Sequence, residues 1–200
     1  MARTSRFSGI VTAAILLAAT SCQAAGKLKV GDKAPSWSGI VGVDDKQHSL
    51  SDYKDAKAIV LVFTCNHCPV AKAYEDRLIQ LQNDYKGKGV QLIAVNVNNI
   101  EADRLDKMKV RAEEKGFTFP YLYDSSQKMG VDYGATVTPH VFILDQDRNV
   151  AYIGSVDDSQ KPEKVTQHYV RDALDALLKG EKPKTAETLA FGCTIKYESP

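Results

Sequence analysis

The sequence predicts an α/β domain: a central mixed β-sheet flanked by helices, with an N-terminal hairpin extension. Three observations carry this. The unbroken apolar run Ala58-Ile59-Val60-Leu61-Val62-Phe63 has the composition of a strand covered on both faces. An amphipathic stretch at 69–86 and a second apolar run at 90–97 follow it, giving a β-α-β unit. Residues 141–144 and 150–154, separated by Asp145-Gln146-Asp147-Arg148-Asn149, form a closing antiparallel hairpin.

The chain begins with Arg3 and Arg6, a short apolar core at 9–19 and small residues at 21–25, the pattern of a secretory signal over residues 1–25. Spanning a bilayer takes about 20 apolar residues, so this core points to export rather than anchoring. Ala19-Thr20-Ser21-Cys22 resembles a bacterial lipobox, in which Cys22 would be lipidated and tether the protein to the membrane; ordinary cleavage after Ala24 or Ala25 is the alternative. The expected location is the bacterial periplasm, free or anchored facing it. Loss of Arg3 and Arg6 with the signal takes the formal net charge from +1 to −1. With no basic cluster, nucleic acid is excluded as a partner. The run Asp103-Arg104-Leu105-Asp106-Lys107 alternates in sign and reads as a solvated helix face.

The remaining elements follow in order, in a domain expected over 28–180. Residues 40–50 predict a hairpin turning at Asp44-Asp45, and 51–53 a short helical turn. In the helix at 69–86, Val70, Tyr74, Leu78, Leu81 and Tyr85 recur at helical spacing. Pro69 falls in its first turn, where a missing N–H costs nothing, and Gly87 and Gly89 end it. A charged helix is expected over 101–115, an extended segment over 117–123 and a small helix within 125–133. A last helix over 163–179 would turn Val165, Tyr169, Leu174, Leu177 and Leu178 inward. From 181 to 200 no periodicity holds, and a C-terminal tail is expected.

Cys65-Asn66-His67-Cys68 sits between the buried strand and the helix. A thiol at a helix N-terminus meets unpaired N–H groups and the positive end of the helix dipole, which favours the thiolate. Cys65 is therefore expected to be the acidic, exposed, attacking thiol. His67 would tune it with a donor or a positive charge. Cys68, one turn in, would resolve the mixed disulfide. A static disulfide or inert thiols would waste this position. Only Cys22 and Cys193 remain besides the pair, too few for a disulfide framework.

With the dithiol after a buried strand, the β-α-β unit, Val30-Gly31-Asp32-x-Ala34-Pro35 and Thr138-Pro139-His140-Val141-Phe142-Ile143-Leu144-Asp145, residues 28–180 resemble the thioredoxin superfamily. The likeness is to its redoxin branch, the alkyl hydroperoxide reductase, thiol-specific antioxidant and TlpA-like proteins. The resemblance implies a thioredoxin-like fold and thiol–disulfide exchange with protein thiols or disulfides, or with a reducing partner protein, using no cofactor and no metal. It implies a cis bond before Pro139, with Thr138 and Pro139 presenting an extended partner segment to the dithiol. His67 before the second cysteine is similar to protein disulfide isomerase and the periplasmic disulfide oxidases.

The departures matter. A peroxiredoxin-like thiol peroxidase would carry threonine three residues before its cysteine, but Val62 precedes Cys65 and Cys65 precedes Cys68 at that distance. Thioredoxin's buried acid is replaced by Ile59, leaving Glu75 or water to move the proton of Cys68, and Thr64 stands where a tryptophan precedes the first cysteine. A Sco-like copper protein is the further alternative, with Cys65, Cys68 and His140 as soft ligands, although such proteins space their cysteines differently. Cys193, in Gly192-Cys193-Thr194-Ile195-Lys196, resembles tails of peroxiredoxin-like relatives and is read as a third redox cysteine exchanging with Cys65, or as a spare thiol. His48 and His168 are expected at the surface.

Overall fold

Nine strands and four α-helices order themselves around one mixed sheet in a computed structural model that describes Met1 and residues 28–198. The signal expected at 1–25, with Cys22, lies outside the described residues. The strands are β1 (Ile40–Gly42), β2 (Gln47–His48), β3 (Ala58–Phe63), β4 (Val90–Asn96), β5 (Tyr121–Tyr123), β6 (Val137–Thr138), β7 (His140–Leu144), β8 (Val150–Gly154) and β9 (Cys193–Thr194). The helices are α1 (Pro69–Tyr85), α2 (Leu105–Lys115), α3 (Lys128–Tyr133) and α4 (Tyr169–Leu178). The main sheet runs β2-β1-β5-β4-β3-β7-β8, and β6 pairs with β9 apart from it. β3, β4 and β5 are parallel, while β1, β7 and β8 join antiparallel. The sheet is mixed, as the sequence predicts.

Period-two alternation along β3 divides the core in two. Ala58, Val60 and Val62 face Tyr74, Leu78 and Leu81 of α1, Met108 of α2 and Leu174 of α4. Ile59, Leu61 and Phe63 face Trp37, Met129 and Tyr133 on the other side. Every residue of β3 is buried, so the strand that leads to the dithiol is held by packing on both faces. Burying one such aliphatic side chain contributes roughly 1.5–3 kcal/mol.

The predicted boundaries hold within a few residues, with physical reasons where they do not. The chain leaves α1 through a tight turn at 86–88 closed by Gly89 at φ +87°, a left-handed conformation that favours glycine. The charged helix divides into a short turn, Glu101–Asp103, and α2. The last helix starts at Tyr169 rather than 163, because Lys161-Pro162 opens a separate turn, and it buries Val170, Ala173 and Leu174. Glu75, an acid on α1, is buried because Arg111 grips it with two hydrogen bonds of 2.9 and 2.5 Å.

The segment expected as a tail packs against the domain. Ala186 and Thr188 bond the backbone of Ile153 beside β8. Further on, β9 pairs antiparallel with β6, Val137 opposite Thr194 and Thr138 opposite Cys193. Ile195 is buried in the same cluster as Phe63 and Tyr133.

Candidate active site

The dithiol lies at the carboxyl ends of the parallel strands, where open α/β sheets usually place their sites. β3 ends at Phe63, the Thr64 amide bonds the Val95 carbonyl at 2.8 Å, and the next four residues lead into α1. Cys68 is the N-cap of α1, its Sγ accepting from the Ala71 amide at 3.4 Å, with Pro69 at the first helical position. The Thr138-Pro139 peptide is cis. Both thiols converge on Thr138: Cys65 Sγ lies 3.1 Å from its hydroxyl, and the Cys68 thiol donates to its carbonyl at 3.3 Å. The sequence-predicted residues Cys65, His67, Cys68, Thr138, Pro139 and Cys193 thus meet in one place.

The expected distribution of acidity is reversed. Cys65 is only 2% exposed, and burial pushes its thiol from 9.0 up to about 12. The Asp103 charge adds to the rise, and the Thr138 hydroxyl opposes it. Cys68 is also buried, which works against its ionisation, but donors outweigh the burial and hold it below its ordinary value. Those donors are the Cys193 thiol and amide, the Ala71 amide and Thr138. The helix-end effect argued for Cys65 falls on Cys68, because the chain only bends at Asn66-His67 and the helix begins at Pro69 with Cys68 as its N-cap.

Asp103 is the site residue that sequence reasoning missed. It is not on a solvated helix face. It ends the turn Glu101–Asp103 with its side chain fully buried. It accepts the Asn66 amide at 2.7 Å, the His67 amide at 3.1 Å and His67 Nδ1 at 2.5 Å. Asn66 completes the clamp, its side chain donating to the Ala102 carbonyl and accepting from the buried Tyr121 hydroxyl at 3.0 Å. The available signal was positional: the loop after β4 emerges at the sheet end that carries the dithiol. A carboxylate therefore stands beside the cysteines although Ile59 replaces the thioredoxin acid. Glu75 is committed to Arg111.

Cys65, His67 and Asp103 present atoms within 4.8 Å of one another and are the described set that could hold a cation. The set suits copper poorly, since Cu(I) selects paired soft thiolates and here a single thiol is joined by an imidazole and a hard carboxylate. His140 lies against Phe142 and accepts the Thr136 amide. His168 is exposed as expected. His48 is half-buried, its ring nitrogens bonded to Tyr53 and Asp44.

A sheet of this order with a dithiol facing a cis X-Pro step defines a thioredoxin-superfamily protein. Residues 29–170 match the Redoxin family model. The chain belongs to that family, and it is an oxidoreductase of the redoxin branch. Among relatives, it is 30% identical over 125 residues to the thiol-disulfide oxidoreductase ResA of Bacillus thuringiensis (strain Al Hakam), across 62% of this chain and 68% of that one. Its fold is similar to the crystal structure of an uncharacterized conserved protein from Geobacillus kaustophilus, with TM-score 0.81 and 39% identity over 86% of this chain and 94% of that one. A hypothetical protein from Sinorhizobium meliloti 1021 is likewise similar, with TM-score 0.81 and 30% identity over 88% and 98%.

Proposed function

We propose that the chain is an exported thiol–disulfide oxidoreductase that works through the Cys65–Cys68 dithiol on protein thiols or disulfides. The observation that carries the proposal is the convergence of both sulfurs on Thr138, one on its hydroxyl and one on its carbonyl, at the carboxyl end of a rigid buried strand. The name of the ResA relative supports the same reaction. In exchange, a thiolate attacks a partner disulfide, a mixed disulfide forms, and the second thiolate attacks the enzyme's own sulfur and releases the partner. His67, tethered by Asp103, has a ring nitrogen within 4.8 Å of the Cys65 sulfur and stands as a polar group beside it. Thr138 and Pro139 present the partner segment.

Two orders of attack are distinguishable. Position in the motif gives Cys65 the attack and Cys68 the resolving step. That order requires an opened site in which Cys65 sheds the burial that holds its proton. The acidity of the closed site favours the reverse, with Cys68 as the more readily ionised sulfur. A full-length enzyme incubated with a disulfide-bonded protein tests both. Cys68→Ser accumulates the mixed disulfide if Cys65 attacks, and Cys65→Ser combined with Cys193→Ser accumulates it if Cys68 attacks. Insulin reduction and dithiol oxidation disappear in both variants, and activity surviving in both refutes the dithiol mechanism.

Export rests on the N-terminal signal pattern, and tethering on Cys22. No helix among the described residues is long and apolar enough to cross a membrane. Cys22→Ala moves the protein from the membrane to the soluble periplasmic fraction if Cys22 is lipidated, and leaves the distribution unchanged if the signal is cut conventionally.

A further inference from the structure

Cys193 packs against the cluster of Cys65, Cys68 and Ala71, with its hydrogen-bonding groups turned to the Cys68 sulfur. Its thiol and its backbone amide both donate to the Cys68 sulfur. It is also the least buried of the three described cysteines.

The segment that delivers it is well fastened. β9 is hydrogen-bonded along the edge of Thr138, and the Ile195 amide bonds the Thr136 carbonyl at 3.0 Å. Gln127 grips both sides of the chain, donating to the Lys196 carbonyl at 2.8 Å and accepting the Glu198 amide at 2.7 Å. The Lys196 amide bonds Asn98 Oδ1 at 2.8 Å, and the Tyr197 hydroxyl donates to the Ala135 carbonyl at 2.8 Å. Gly192 makes the approach feasible: a Cβ there would fall 2.0 Å from the Thr138 carbonyl oxygen. The edge assigned above to a partner strand is occupied by this chain's own strand, with a cysteine directly opposite Thr138.

We propose that Cys193 is a third redox thiol whose disulfide partner is Cys68, and that the Cys68–Cys193 bond locks residues 192–198 over the partner-binding edge. The inference rests on Cys65–Cys68 being the working dithiol. The step is an isomerisation. The Cys193 thiolate attacks the Cys68 sulfur of the Cys65–Cys68 disulfide, the Cys68–Cys193 bond forms, and the Cys65–Cys68 bond breaks. Cys65 leaves as thiolate and takes up a proton equivalent to the one Cys193 gave up, so nothing is oxidised or reduced overall. Burial favours this product, because it returns Cys65 to the protonated form that its surroundings prefer. A reductant then meets the least buried of the three sulfurs at Cys193 and a leaving group at Cys68 whose thiolate is favoured by its donors, the arrangement that speeds reductive attack. The oxidised enzyme has a closed form, shielded from partner strands, and an open form carrying the Cys65–Cys68 bond.

The test is disulfide mapping of the full chain by alkylation and mass spectrometry after treatment with oxidised glutathione. In Cys65→Ser, the Cys68 thiolate takes one glutathione and Cys193 displaces it. The expected product is a Cys68–Cys193 bond with no retained glutathione. Adding Gly192→Val, which cannot keep the strand against Thr138, should leave glutathione on Cys68 and Cys193 free. In the wild type, the Cys68–Cys193 peptide with a free Cys65 should be recovered beside the Cys65–Cys68 peptide. Retained glutathione on Cys68 with free Cys193 in Cys65→Ser, and only the Cys65–Cys68 link in a wild type that still turns over, overturns the inference and leaves the dithiol reading standing. A wild type with neither a Cys65–Cys68 link nor turnover removes the dithiol reading instead.

Discussion

The sharpest prediction concerns the proton on Cys65. Burial raises this thiol from 9.0 to about 12, so at neutral pH it carries roughly a thousandfold less thiolate than an ordinary cysteine. The sign of the stability effect follows. Between these two values the folded chain holds a proton that the unfolded chain has released, so stability falls as pH rises from about 9 toward 12 and is fully retained below 9. The whole shift corresponds to about 4 kcal/mol, an order-of-magnitude ceiling. Buried tyrosines such as Tyr133 and Tyr152 are also pushed up by burial and titrate at the alkaline end. The informative quantity is therefore the difference between wild type and Cys65→Ser in urea unfolding at a series of pH values. Serine has no proton to lose there, and its stability should fall less steeply. In parallel, iodoacetamide labelling of the reduced protein should modify Cys68 and Cys193 before Cys65 at neutral pH. Labelling of Cys65 first, or identical alkaline slopes for the two proteins, would refute the reasoning.

Other outcomes follow from the same contacts. Asp103→Asn removes the charge that helps hold the Cys65 proton, so the pH profile of Cys65 alkylation should move down; weakening the three hydrogen bonds should cost about 1–3 kcal/mol in urea unfolding. An unmoved profile denies Asp103 its electrostatic part. Arg111→Ala strands the buried Glu75 carboxylate and should destabilise by about 3–5 kcal/mol, whereas the pair Glu75→Gln with Arg111→Met should recover most of this in thermal melts. Leu174→Ala opens a void between α4 and the sheet and should cost about 2–5 kcal/mol without altering the alkylation order of the cysteines.

How much of this was legible in the chain depends on the range of the forces involved. β3, α1, β4 and the β7–β8 hairpin were readable because period two, period 3.6 and turn residues are local signals. The dithiol was readable because Cys65 and Cys68 are neighbours in sequence and sit at a strand–helix junction. Thr138 was readable only through a family likeness, 70 residues downstream of Cys68. Asp103 and β9 were not legible. Asp103 looks like any acid in a charged run until Asn66 and His67 are brought to it, and nothing in 103–107 encodes that meeting. The chain beyond 181 has no apolar period because most of its fastening is polar: Gln127, Asn98 and the Thr138 edge supply the bonds, with Ile195 the main apolar anchor.

The error over which sulfur is acidic has one physical source and shows what the site depends on. A helix dipole acts within about one turn of the helix end, so locating the first helical residue decides which cysteine benefits. Placing it at Pro69 gives the amides to Cys68 and leaves Cys65 against Thr138 and within reach of the Asp103 charge. The same placement puts the stabilised sulfur under Cys193, which supplies two of its donors. Removing the C-terminal strand would thus do two opposed things to Cys68: relieve its burial and take away hydrogen bonds that favour its ionisation. Acidity and access at this dithiol are coupled through one short strand, so opening the site to a partner necessarily resets the reactivity of the thiol it exposes.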